Sequence, residues 1–202
     1  MSYRLPVQRL LAAALTAWLM AILSAGSAMA VKVKLTDEDV HAVKVIGKDK
    51  DRSYYLEYLK QYAIPSPKRP HEQLIVFTPF LDMLGVYLRT KKPDGTASAS
   101  LLRDAKNNED IFLQVETFGP VLDFHANYKL VLRQKGKVVP AKRALRVPTR
   151  RSNLGADAPL YRGVFLVYYR LADVDFSQAA TFEVIRDDGE PSVYTIDWSK
   201  YR

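Results

Sequence analysis

The hydrophobic period of this chain changes near residue 108, and the change sets the kind of fold it can adopt. From Ile111 onward apolar residues recur at every second position. Ile111, Leu113 and Val115 alternate with Phe112, Gln114 and Glu116, and Tyr128, Leu130 and Leu132 alternate with Lys129, Val131 and Arg133. A period of two sends successive side chains to opposite faces of a strand. Residues 163–171 are apolar on both faces, as suits a strand inside a sheet. Phe182 and Val184 begin another strand, and Asp187-Asp188-Gly189-Glu190-Pro191 breaks it. Residues 193–198 close the series with Tyr194, Ile196 and Trp198 on one face. Gln134-Lys135-Gly136-Lys137 has the form of a hairpin turn. Five or six short strands joined by turns, with no helix-length segment between them, argue against a parallel βαβ sheet. They predict an antiparallel, immunoglobulin-like β-sandwich over residues 109–202.

Residues 31–108 carry a different pattern, mixed and mainly helical. Residues 31–35 alternate apolar and basic side chains, as a short strand or extended arm would. Thr36-Asp37-Glu38-Asp39 puts a hydroxyl cap before carboxylates that favour the positive end of a helix dipole, and Gly47 suits the helix end. A second helix is expected over residues 53–63. Pro65, Pro67 and Pro70 then predict an extended, exposed segment over residues 64–70. Residues 74–77 form a short apolar run. Thr78-Pro79 opens a helix over residues 80–89, Pro93-Asp94-Gly95 ends it in a turn, and a last helix covers residues 99–106. The expected fold is therefore α+β, one compact unit in which N-terminal helices pack on a C-terminal sandwich.

The first thirty residues have the three-part order of a cleaved secretory signal. Arg4 and Arg9 precede an apolar run over residues 10–23, and Ala28-Met29-Ala30 supplies small residues for cleavage after Ala30. The run is 14 residues long, short of the roughly 20 that cross a bilayer, so no membrane span is expected once the signal is removed. The chain has no cysteine and no Asn-x-Ser/Thr site. It therefore forms no disulfide, and thiol nucleophiles, thiolate zinc sites and iron–sulfur clusters are excluded. Export without disulfides or glycosylation points to a bacterial periplasm or exterior. The signal holds two of the 30 basic residues and none of the 22 acidic ones, which leaves +6 for the remaining 172 residues.

Motifs for chemistry are sparse. There is no phosphate-binding loop, dinucleotide fingerprint or G-x-S-x-G elbow. No metal site and no cofactor are expected: Asp37 and His41 share a helical spacing but lack further ligands. Asp123 and His125, in a connection between two strands, are the best placed pair for ligand contact or acid–base work, since connecting loops carry function more often than strands. The strongest unusual feature is basic. Lys135, Lys137, Lys142, Arg143, Arg146, Arg150 and Arg151 fall in seventeen residues without an acid. Such a stripe suits either an anion-binding surface or an edge strand, where cations and the prolines Pro140 and Pro148 discourage sheet-to-sheet pairing.

These features predict an exported, non-catalytic interaction or structural module of the bacterial cell envelope. Its expected partner is an envelope protein or an anionic envelope polymer rather than nucleic acid. A binding protein for an anionic envelope component, acting through residues 135–151, is the second reading. A hydrolase centred on Asp123 and His125 is the third.

Overall fold

The computed structural model describes residues 31–155, 158–187 and 189–201. The expected export signal at residues 1–30 and Asp188 of the expected turn lie outside them. Helices start where capping side chains stand. Helix α1 (Asp37–Gly47) begins with a reciprocal box: the Thr36 hydroxyl accepts from the Asp39 N–H, and the Asp39 carboxylate accepts from the Thr36 N–H at 2.8 Å. Asp51 caps α2 (Arg52–Leu59), Thr78 caps α3 (Pro79–Thr90) and Ser98 caps α4 (Ala99–Lys106). Proline in the first turn of α3 costs no hydrogen bond, because that N–H would have no partner in the helix. The helix expected over residues 53–63 is shorter. It tightens into a 3-10 turn at Lys60–Tyr62, and the chain then straightens into a strand.

The nine strands among the described residues form two sheets. β1 (Ala63–Pro65), β2 (Gln73–Phe77), β3 (Asp110–Gly119), β7 (Tyr161–Arg170) and β6 (Arg143–Arg151) pair in the order β1-β2-β3-β7-β6. The second sheet has the order β5-β4-β8-β9, from β5 (Lys137–Val139), β4 (Lys129–Gln134), β8 (Ala180–Ile185) and β9 (Ser192–Ile196). Every neighbouring pair is antiparallel. The fold is α+β, with helices and two antiparallel sheets. Residues 31–35 form no strand but an arm that bends at Val33 and Lys34, pinned by buried Val31 and Leu35.

The change of period at residue 108 marks a change in dominant element, not an edge of the core. β2, from the helical half, is hydrogen-bonded to β3, with Leu74 opposite Val115 and Val76 opposite Leu113. Those residues are buried together with Ile111, Phe165, Val167 and Tyr169 of the first sheet. Phe182, Val184, Tyr194 and Ile196 of the second sheet, Trp198 and the α3 side chains Phe80, Leu81, Met83 and Leu84 complete one continuous core. Tyr194, Ile196 and Trp198 share the buried face as their alternation predicts. The other three helices pack on α3, which leaves directly from the end of β2. The helices thus gather where β2 ends and β3 begins, and the connections of residues 66–72 and 120–128 lie at the opposite end.

Candidate functional site

β3 has one face in the core, and its other face carries Phe112, Gln114 and Glu116. The pairing register extends that second face across the sheet. Phe77 stands opposite Phe112, Phe112 opposite Tyr168, and Tyr168 opposite Arg143. The Phe77 and Phe112 rings stack at 4.3 Å and 13°, and the Phe112 and Tyr168 rings at 5.1 Å and 30°. The Arg143 guanidinium lies 3.9 Å from the Tyr168 ring centre. Four strands therefore contribute one stack of four flat groups. The next row holds Ile75, Gln114, Leu166 and Leu145, and the next Gln73, Glu116 and Val164. Tyr55, Leu56, Leu59 and Lys60, from α2 and the turn after it, form a wall over this floor and leave an open cleft of about 720 Å³.

Hydrogen bonds hold the floor in place. The Glu116 carboxylate accepts from Gln73 Nε2 at 3.2 Å, from Gln114 Nε2 at 2.9 Å and from the Arg162 guanidinium. Asp110 binds Lys142 Nζ through both oxygens, at 2.9 and 2.8 Å. On the helix side, burial pushes the Asp82 carboxyl above its ordinary range, against the opposing charge of Arg89 and a hydrogen bond from Asn108. Burial likewise raises the Tyr55 phenol, whose hydroxyl donates to the Leu81 carbonyl at 3.3 Å. Among the described residues the lining contains no serine, threonine or histidine, and its carboxylates are Asp82, Asp110 and Glu116. With them stand aromatic rings, the amides of Gln73, Asn108 and Gln114, and the guanidinium groups of Arg89, Arg143 and Arg162.

The basic stripe of the sequence does not form one surface. Lys135 and Lys137 belong to the β4–β5 hairpin of the second sheet, and Lys135 pairs with Asp175 at 3.0 Å. Lys142 is occupied by Asp110. The remaining four lie on β6, which is an edge strand with a bulge at Pro148. Arg143 continues the aromatic stack of the cleft, and Arg150 stands opposite Arg162 on the same face. Arg146 turns to the other face, donating to the Ala126 carbonyl at 2.6 Å and lying 5.7 Å from the Phe165 ring centre. Arg151, next to Arg150 in sequence, is exposed.

Asp123 and His125 lie in a run of turns over residues 121–127, so their spacing of two does not place them side by side as it would on a strand. Asp123 is exposed. His125 is 3% exposed, with its ring between Phe124 at 4.8 Å and Phe165 at 5.2 Å. Its Nε2 lies 3.3 Å from the Thr149 hydroxyl. Burial and the charge of Arg146 lower its pKa, and Asp123 opposes the shift. Both residues border a shallow groove of about 330 Å³ that also includes Arg146 and Thr149. Among the described residues no group of three or more His, Asp or Glu side chains is gathered for a metal ion, and no helix is long and apolar enough to cross a membrane.

The class defined by fold and site is an α+β protein of two antiparallel sheets with an open cleft on the outer face of the first. No family model, no curated protein and no solved structure matches the chain. Of the cleft residues, Arg143 was singled out by the sequence pattern, as part of the basic stripe. The signal for the others was the composition of the second face of β3, aromatic, amide and carboxylate where a solvent face is usually lysine, threonine or serine. Their partners on β2 and β7 are set by register, which one sequence does not print.

Proposed function

We propose that this protein is an exported, non-catalytic binding module of the bacterial cell envelope whose ligand lies in the cleft on the outer face of the first sheet. One observation carries the reading: four strands align Phe77, Phe112, Tyr168 and Arg143 as a stack beside the Gln73, Gln114 and Glu116 network, on the face of β3 opposite the buried row Ile111, Leu113 and Val115. A preorganised floor lowers the entropy cost of binding. The hydrolase reading has less support, because His125 is packed among aromatic rings and Asp123 points to solvent. Strand order supports an immunoglobulin-like frame. With β2, β3, β4, β5, β6, β7, β8 and β9 taken as strands A, B, C, C′, D, E, F and G, the sheets read A-B-E-D and C′-C-F-G. α3 and α4 then form an insertion between A and B.

A photoreactive amino acid placed at position 114, in cells, tests the cleft. The expected result is a reproducible, specific adduct that a probe at Val138, on the other sheet, does not give. No adduct at position 114, or the same adducts from both positions, counts against the cleft. Export is tested separately by intact mass, which should show a mature chain beginning at Val31.

A further inference from the structure

We infer that the cleft takes an acidic polysaccharide, an elongated sugar chain whose carboxylates meet Arg143 at one end and Arg150 with Arg162 at the other. This rests on the cleft reading above and names the chemistry of its ligand. Arg143 stands opposite Tyr168 and Arg150 opposite Arg162, six residues apart along β7; Arg143 and Arg162 line the cleft, and Arg150 adjoins it through its pairing with Arg162. At ~3.3 Å per residue the two cationic ends are about 20 Å apart. Among the described residues neither Arg143 nor Arg150 makes an ion pair, while Arg162 is steadied by Glu116. Stacking on Tyr168 fixes the plane of the Arg143 guanidinium, so less side-chain freedom is lost when an anion binds it.

Between the two ends the floor carries Leu166 and Val164 on the β7 side, and on the β3 side Gln114 and the Glu116 carboxylate, whose charge is met by Arg162. Leu166 and the edge of Phe112 offer apolar contact to sugar C–H groups, and Gln73 and Gln114 offer planar amides to hydroxyls. The backbone of β3 and β7 is already paired on both sides, so an extended peptide finds no main-chain partners on this floor. Charges at two separated ends of a concave cleft suit a chain molecule better than a flat lipid surface.

Four probes test the inference by calorimetry, with amide chemical shifts to locate binding: an alginate hexasaccharide, maltohexaose, poly-glutamate and phosphatidylglycerol vesicles. The alginate oligosaccharide is expected to bind, shifting amides of β3 and β7, and to weaken as salt rises. Arg143→Gln and Arg150→Gln, both exposed on an edge strand, should each lose about tenfold in affinity. Lys137→Gln, the same charge change on the other sheet, should lose none. Equal binding of maltohexaose would overturn the acidic ligand and leave the cleft standing. Preference for poly-glutamate or vesicles would overturn the polysaccharide, and so would an equal loss in Lys137→Gln. If none of the four binds, the inference fails, while crosslinking from position 114 decides the cleft independently.

Discussion

Glu72 and Arg186 stand 114 residues apart in sequence and form an ion pair inside the protein, with side chains 3% and 2% exposed. Glu72 lies just ahead of β2 and Arg186 just after β8, so the pair ties the two sheets together. Arg186 also donates to the Ser192 hydroxyl at 2.7 Å and lies 5.1 Å from the Tyr128 ring centre. Removing one partner leaves the other as an uncompensated buried charge, a cost of about 3–5 kcal/mol. Glu72→Ala and Arg186→Ala should each lose that much stability in urea unfolding. Replacing both with apolar residues, Glu72→Leu with Arg186→Met, should cost less than either single change. A double variant that loses the sum of the two would mean that the charges are not paired in solution.

His125 predicts a pH effect. Burial and Arg146 lower its folded pKa below the ordinary value of 6.5, with Asp123 opposing. The folded state then favours the neutral ring. Its contribution to stability is complete above about pH 6.5 and declines as pH falls below that value, because the unfolded chain takes up the proton first. The urea midpoint should therefore drop between pH 7.5 and pH 5, and His125→Phe, which keeps an aromatic ring between Phe124 and Phe165, should flatten the drop. An unchanged drop in that variant would assign the effect to other groups.

What the sequence alone disclosed divides along a physical line. Local rules were enough for Thr36, Asp39, Thr78 and Gly136, because a cap or a turn is decided by residues two to four positions apart. Alternation was enough for the buried row Tyr194, Ile196 and Trp198. Cations and proline marked the edge character of β6, through Arg143, Arg150 and Pro148. Nothing local joins Phe77 to Phe112, Lys142 to Asp110 or Glu72 to Arg186. Those pairs depend on which strands are neighbours and in what register, so the cleft could be half seen on β3 but not assembled. The basic stripe misled for a related reason: nearness in sequence says little once a hairpin and an edge strand turn alternate residues to different faces.

The β4–β5 hairpin supplies a local test. Lys135 and Gly136 both have positive φ, 51° and 74°, the pair of left-handed residues that a two-residue type I′ turn requires. A Cβ at Gly136 meets no neighbour, so any penalty is conformational rather than steric. Gly136→Ala should cost about 1 kcal/mol, and Lys135→Asn, which tolerates positive φ better, should raise stability by a few tenths. The lysine change removes the Asp175 pair, but that pair is exposed and contributes little. A stabilising Gly136→Ala would show that the turn adopts another geometry.

Gly119, at the end of β3, is governed by space instead. A Cβ there would lie 2.2 Å from Phe124 Cγ and 2.5 Å from Phe124 Cβ, atoms close to the backbone of the 120–128 connection that cannot swing away. Gly163, on the neighbouring strand, meets His125 Cδ2 at 2.6 Å and Phe124 Cζ at 3.1 Å in the same way. The connection is thus laid directly on two glycines, and its aromatic rings take the place of their missing side chains. Gly119→Ala should destabilise by about 1–3 kcal/mol, the cost of overpacking a filled site. The penalty should shrink when Phe124→Ala is already present, because the atoms it clashes with beyond Cβ are gone. Unfolding free energies of the two single variants and the double variant measure the coupling. A coupling near zero would mean that the connection does not rest on β3 as described.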